Sequence, residues 1–228
     1  MTRLVFDGTG EREYEAGVSQ GVLFAGSPSN TVKGVVWNGL TNFTKSPEGG
    51  EANDQWADNI KYASIRGAEN INGTIEAFMY PKEFHASMGE KELVADSGVY
   101  VSQQTKTPFS FACLTKVGND KEGLDFGSKI HIIYNATVNP SEMAYETIND
   151  SPEPITMSWE FNTVPVNVTK VQGIKPTAYI VIEKTTETDK VFQAIYDKIY
   201  GTDEPNSNST LPMPDDIYDL IQTAQAGS

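Results

Sequence analysis

Two histidines and one cysteine are the side chains in this sequence best suited to catalysis or to holding a metal, and none has a partner at a useful spacing. His131 lies in Lys-Ile-His-Ile-Ile-Tyr, a strand pattern, and His85 lies in an unrelated context. They share none of the short spacings of a zinc site. A strand histidine with an ordinary partner is the simpler reading of His131. Cys113 sits in Phe-Ser-Phe-Ala-Cys-Leu-Thr, an apolar setting that buries a thiol, and no motif ties either histidine to it as a base. As the only cysteine, it forms no disulfide within the chain. Asp120, Glu122 and Asp125 are spaced loosely like calcium ligands, but the full ligand pattern of an EF-hand is missing. Glu48-Gly-Gly-Glu51 has the glycines of an anion nest, yet its acids would oppose a phosphate. No Gly-x-Ser-x-Gly, P-loop or dinucleotide fingerprint occurs. Carboxylate pairs for glycoside hydrolysis are defined by distance in space, and nothing in the sequence singles one out. The expectation is a protein with no catalytic, cofactor-binding or metal-binding residue.

The elements that would position any site read mostly as strands. Residues 31–37 are β-branched and end at Asn38-Gly39, a turn signal. Residues 71–80 alternate, with Ile71, Ile75, Ala77 and Met79 on one face and Thr74, Glu76, Phe78 and Tyr80 on the other, until Pro81 stops them. Strand-like segments follow at 99–103, 109–116, 129–137, 155–163 and 177–184, separated by Gly118-Asn-Asp, Asn139-Pro and Asp150-Ser-Pro turns. Repeated strands without long helices between them predict a mainly β fold of two packed antiparallel sheets, a sandwich or barrel. Residues 45–58 are polar, acidic and glycine-bearing, and read as a long loop. Trp56 within it is either an anchor on another surface or a side chain folded back on its own domain. Near the C-terminus, Val191, Phe192, Ile195 and Ile199 make one helical stripe, with Thr188 to cap it and Gly201 to end it. Pro214 opens a second short helix with Asp215 and Asp216 in its first turn and Ile217, Leu220 and Ile221 on its apolar side.

The charge is the strongest compositional signal. The chain has 31 acidic residues against 17 lysines and arginines, a net of −14. From Glu183 onward there are nine acids and three lysines, so the tail accounts for only part of it. Such a chain repels polyanions and does not grip nucleic acid by phosphate neutralisation; no basic run with interleaved aromatics appears either. Met1-Thr-Arg-Leu-Val-Phe-Asp-Gly lacks the apolar core of a signal peptide, and no apolar run approaches the roughly 20 residues of a membrane span. The expectation is a protein made and assembled in a cytosol, with no membrane partner.

Several segments, taken in order, carry a family resemblance. They are Gly34-Val-Val-Trp-Asn-Gly-Leu40, Glu48-Gly-Gly-Glu51 with Ala57-Asp-Asn-Ile-Lys-Tyr62, Thr74-Ile-Glu-Ala77, Tyr80-Pro81 and Glu83-Phe84. Further on come Val117-Gly-Asn-Asp120, Lys129-Ile-His131, Thr147-Ile-Asn-Asp-Ser-Pro152, Ser158-Trp-Glu-Phe161, Tyr200-Gly-Thr-Asp203 and Leu211-Pro-Met-Pro214. Together they resemble the major tail tube proteins of long-tailed (siphovirus-type) phages, especially those of phages and prophages of Gram-positive bacteria. Ser128 departs from the pattern, where an aromatic is expected.

The resemblance implies two packed β-sheets with a flanking helix, spanning residues 1–200, followed by a C-terminal loop and short helix over 201–228. It implies a structural virion protein, assembled in the host cytoplasm, whose subunits join sheet edges into hexameric rings. The rings stack into the tail tube, and DNA leaves through its lumen without specific binding. Implied partners are further copies, a tape measure protein and tail terminator and initiator proteins. The 45–58 loop matches the family's contact with the neighbouring ring, which points to Glu48, Glu51, Asp54, Trp56 and Asp58. Alternation makes Glu76 and Glu160 the candidates to face the lumen. The alternative from another class is a β-sandwich binding module, carbohydrate-binding or adhesin-like, with Trp56, Tyr80 or Tyr100 as a sugar platform; a weaker one is a metal- or carboxylate-dependent hydrolase.

Overall fold

The computed structural model describes residues 4, 6–50, 52–66, 69–145, 147, 148, 150, 153–185, 188–203 and 208–226. Twelve strands follow in order: β1 Glu13–Ala25, β2 Gly34–Trp37, β3 Leu40–Gly49, β4 Ala52–Ala57, β5 Ile60–Arg66, β6 Glu69–Ala77, β7 Lys91–Glu92, β8 Tyr100–Val101, β9 Phe109–Asn119, β10 Gly123–Val138, β11 Met157–Thr163 and β12 Tyr179–Glu183. Helices are α1 His85–Met88, α2 Asp189–Tyr200 and α3 Pro214–Ala226. Eight strands form one antiparallel sheet in the order β2-β1-β9-β10-β11-β6-β3, with β12 also on β10; β4–β5 and β7–β8 are separate ribbons. The expected class holds: mainly β, antiparallel, in two packed layers with flanking helices.

The two layers are leaves of a single bent sheet, and β10 is the hinge between them. Its first part pairs with β9 and with β12 over Lys129–Ile133; its last three residues pair with β11. The turn-over falls at Asn135, which has φ 49 and sits at a register shift. Asn135 Nδ2 donates to Val164 O and its N–H to Ser110 Oγ, so the irregularity is tied down on both sides. The first leaf is β2-β1-β9-β10-β12, the second β10-β11-β6-β3. Between them Leu23, Trp37, Ile75, Phe84, Phe109, Phe111, Ile133, Trp159 and Phe161 make one core. Each of these large side chains contributes about 1.5–3 kcal/mol by leaving water. Gly73 on β6 is required by this packing, since a Cβ there would lie 2.7 Å from the Phe161 ring.

The other face of the first leaf is covered by helices. Ala112, Leu114, Ile130, Ile132 and Tyr134 meet Phe192, Ile195 and Ile199 of α2 and Ile217 of α3. The helical stripes expected from sequence are the buried ones, and they pack on their own sheet. One expectation is corrected: Thr188 makes no side-chain cap to α2. Its hydroxyl donates to Glu183 O instead, because the β12 edge beside it offers an unpaired carbonyl. Asp216 does cap α3, accepting from Met213 N–H, and Asp215 accepts from the N–H groups of Thr169 and Lys170. No helix among the described residues is long and apolar enough to cross a membrane.

The second correction concerns residues 45–58. They are not a loop. β3 runs to Gly49, and β4 with β5 forms a hairpin arm that carries the β3–β6 ribbon onward past Gly49 and Glu69. The arm turns at Asp58-Asn59, both at positive φ (51 and 64), the geometry of a two-residue hairpin turn that short polar residues accept. Neither face of the arm is buried, so its sequence carries no alternation. Residues 1–3, Glu51, and parts of 147–152 and of the loop after Asp203 lie outside the described residues.

Candidate assembly surface

Two features stand out once the leaves are placed: an uncovered sheet face and an open sheet edge. Strand register sets the face. Glu76 lies between Asn42 and Ser158, Thr74 between Thr44 and Glu160, and Asn72 between Ser46 and Asn162, with Glu48 next to Asn70. Their in-between neighbours Phe43, Ile75, Trp159 and Phe161 turn inward to the core. The outward face of the second leaf is thus built of Asn, Thr and Ser with three carboxylates, Glu48, Glu76 and Glu160. No lysine or arginine stands on it among the described residues. The one lysine of β3, Lys45, turns the other way, with Nζ 3.9 Å from the Tyr179 ring centroid. Glu160 is exposed and Glu76 half-buried; Asn72 Nδ2 donates to Glu48. Alternation in the sequence found Glu76 and Glu160. Glu48 joins them only through the β3–β6 register, which no local pattern announces.

The edges differ from one another. At β2 the chain covers itself: Gly34 N–H donates to Ser209 O and Lys33 bridges Thr210. On β12, backbone groups at two of the positions facing away from β10 are taken by side chains, Tyr179 by the Thr177 hydroxyl and Glu183 by Thr188. β3 ends its leaf with no further strand beside it among the described residues. It contains Pro47, a residue suited to an edge. Its partner Ile71 directs both backbone groups to the Thr163 hydroxyl on the β11 side, so the position where Pro47 lacks a donor faces outward. A long bare edge is a template for another strand.

The remaining candidates are placed as follows. Asp54 is held by Lys61 at 2.8 Å and by Ser64 Oγ at 2.7 Å, and these partners lower its pKa. Asp58 forms the arm's turn. Trp56 is 68% exposed, so it does not fold back on its own domain. Glu51 lies outside the described residues. Of the proposed sugar platform, Tyr80 packs edge-on to Trp159 and Tyr100 stacks on His85 at 3.8 Å. Both are half-buried and neither lies flat beside Trp56. Asp120 accepts from Gly10 N–H, and Asn119 Oδ1 caps the turn into β10. Among the described residues no three carboxylates, histidines or cysteines cluster as metal ligands. Cys113 is buried and its thiol is pushed up to about 12 by desolvation, which leaves it inert.

A polar group missed by sequence reasoning closes the open end of the inner core. Tyr179 O–H donates to His131 Nδ1 at 2.6 Å, which leaves Nε2–H to donate to Glu15 Oε1 at 3.1 Å. Thr115 O–H donates to the same Glu15 oxygen at 2.6 Å. Lys129 bridges Glu15 at 3.3 Å and Glu183 at 2.8 Å. Burial works against the Glu15 carboxylate, but the hydrogen bonds from Thr115 and Lys129 outweigh it and its pKa is lowered. Burial lowers the pKa of His131, against the pull of Glu15. Glu15 lies a hundred or more positions from each of the others, and only the pairing of β1, β9, β10 and β12 assembles them.

No protein-family model matches the chain, and no curated protein matches it. Among solved structures it is similar to the sheath/tube terminator of an extracellular contractile injection system (PVC) in the extended state, at 12% identity and TM-score 0.32, over 75% of this chain and 98% of that one. It is also similar to a chain of the sheath–tube complex of such a system, at 12% identity and TM-score 0.28, over 72% and 88%. Likenesses this low carry no argument about the role of the chain.

Proposed function

We propose that this protein is the repeating structural subunit of a phage tail tube of the long-tailed type, acting as a conduit for DNA and not as an enzyme. One observation carries the reading: the outward face of the second leaf is left without a covering layer among the described residues, is free of cations there, and ends at β3, a ten-residue strand with no strand on its outer side. In the proposed assembly, β3 meets the sheet of the next subunit around a hexameric ring, and the face bearing Glu48, Glu76 and Glu160 becomes the lumen wall. A wall of amides, hydroxyls and carboxylates holds water and counterions and offers phosphates no partner, so DNA passes without being gripped. The β4–β5 arm, with Asp54, Trp56 and Asp58, reaches the neighbouring ring. Rings of identical subunits stack head to tail, which propagates until a terminator ends it. A tape measure protein and tail initiator and terminator proteins are the partners this role requires, and the virion tail is its place.

Electron microscopy of the purified protein, alone and with tail-initiating partners, tests the reading; rings or tubes are expected, and dispersed monomers under every condition would refute it. The lumen assignment has its own test. Glu76→Lys with Glu160→Lys is expected to leave tubes intact, since both side chains lie outside the core, while DNA ejection from particles carrying the variant slows at least several-fold. Ejection at the unaltered rate would remove this face from the lumen.

A further inference from the structure

The arm carries four large apolar side chains into solvent. Trp56, Ile60, Tyr62 and Ile65 are 68%, 61%, 74% and 60% exposed. A two-stranded ribbon on its own is marginal in water, and exposed aromatic and branched side chains at this density mark a surface that meets another. A second apolar surface lies at the opposite end of the same strand pair. β6 closes with Ala77 beside Leu40 and runs into Phe78 and Met79, 44% and 61% exposed. Lys82 Nζ reaches Asp96 at 3.4 Å, which holds the β7–β8 tip nearby, where Leu93, Val94 and Val99 are 65%, 65% and 52% exposed. The paired run of β3 and β6 separates the two surfaces by about 30 Å, at about 3.4 Å per residue.

We propose that the arm of one copy docks by its tip, with Trp56 on one face of the ribbon and Ile60 on the other, on the surface made by Phe78, Met79, Leu93, Val94 and Val99 of a second copy displaced along the β3–β6 axis. The inference rests on the tube reading and adds the surface that receives the arm. The two patches lie too far apart to meet within one chain, and translation along the strands brings them together as a head-to-tail contact that repeats. Their exposed side chains amount to about 1,000 Å² in all, with aromatics supplying about 150–250 Å² each when fully buried, which reaches the lower bound of a specific interface. The charges beside both surfaces are already matched within the chain, Asp54 with Lys61 and Lys82 with Asp96, so docking leaves none of these four without its counter-charge.

Photo-crosslinking tests the contact directly. The full chain with Trp56 replaced by p-benzoylphenylalanine is assembled, irradiated, digested and read by mass spectrometry. Adducts to peptides within 78–101 of a second copy are expected; adducts on another arm, or on the β3–β6–β11 face, overturn the inference. A Leu93→Glu, Val94→Glu variant gives an independent readout. Its circular dichroism and melting temperature stay unchanged, while the largest species in sedimentation falls to single rings or smaller. Stacking of that variant to the length reached by the unaltered chain overturns the inference and leaves the tube reading standing. Failure of the unaltered chain to assemble, even with tail-initiating proteins, overturns both.

Discussion

His131 shows how a polar side chain can close an apolar core. Glu15 faces it from β1, Thr115 and Cys113 from β9, Tyr179 from β12 and Lys129 from its own strand; Phe43 lies over it from β3, and the nearby Lys45 charge opposes its protonation. Burial lowers its pKa, so the folded protein keeps the ring neutral where the unfolded chain, near about 6.5, begins to bind a proton. Stability is therefore full above that value and falls as acid is added below it. Glu15, whose pKa is lowered, acts in a separate window: its contribution is present above about 4.3 and is lost only in stronger acid. Melting curves between pH 8 and pH 5 are expected to show a falling melting temperature that starts near pH 6.5. His131→Asn is expected to flatten that portion; an identical pH slope in the variant would mean that other groups cause it.

At the scale of elements, the arm is separable from the body. Deleting residues 52–65 removes no buried large side chain, so the melting temperature is expected to stay within about 2 °C, the shift that under about 0.5 kcal/mol would bring, and the tube is expected to be lost. Tubes of normal length from the deletion would refute the arm's role. Which elements were legible depended on what each one buries. β9 announced itself because Phe109–Leu114 is buried on both faces, and α2 because its stripe of Phe192, Ile195 and Ile199 faces a sheet. β1 stayed hidden because shifts between Ala16, Ser19 and Val22 break its period, with Gly17 and Gln20 at positive φ. β3 stayed hidden because its outward residues are Asn, Thr, Ser and Glu while its inward ones include Lys45 and Pro47. The arm had no burial to reveal it; the signal was the Asp58-Asn59 turn between two apolar-bearing segments. For the candidate surface, alternation alone oriented Glu76 and Glu160, whereas the Glu15–His131–Lys129 group depends on register between distant strands.

At the scale of the molecule, the net charge of −14 sets a cost on bringing copies together. In the proposed tube, stacked rings would place like charges within reach of one another, and apolar contact would have to overcome the repulsion. Raising ionic strength from about 0.01 M to about 0.15 M shortens the screening length from about 30 Å to about 8 Å. Assembly measured by light scattering is expected to strengthen over that range, and weakening would mean that opposite charges hold the rings. The outward gap at Pro47 has a consequence of its own. A strand laid along an unbroken margin can slide by two residues and still find donors everywhere. Here one place on the margin offers none, so a wrongly phased neighbour leaves a carbonyl stranded there. In the proposed ring a single imino acid would thereby give the join a key, and copies that add one after another would inherit the same phase around the circle.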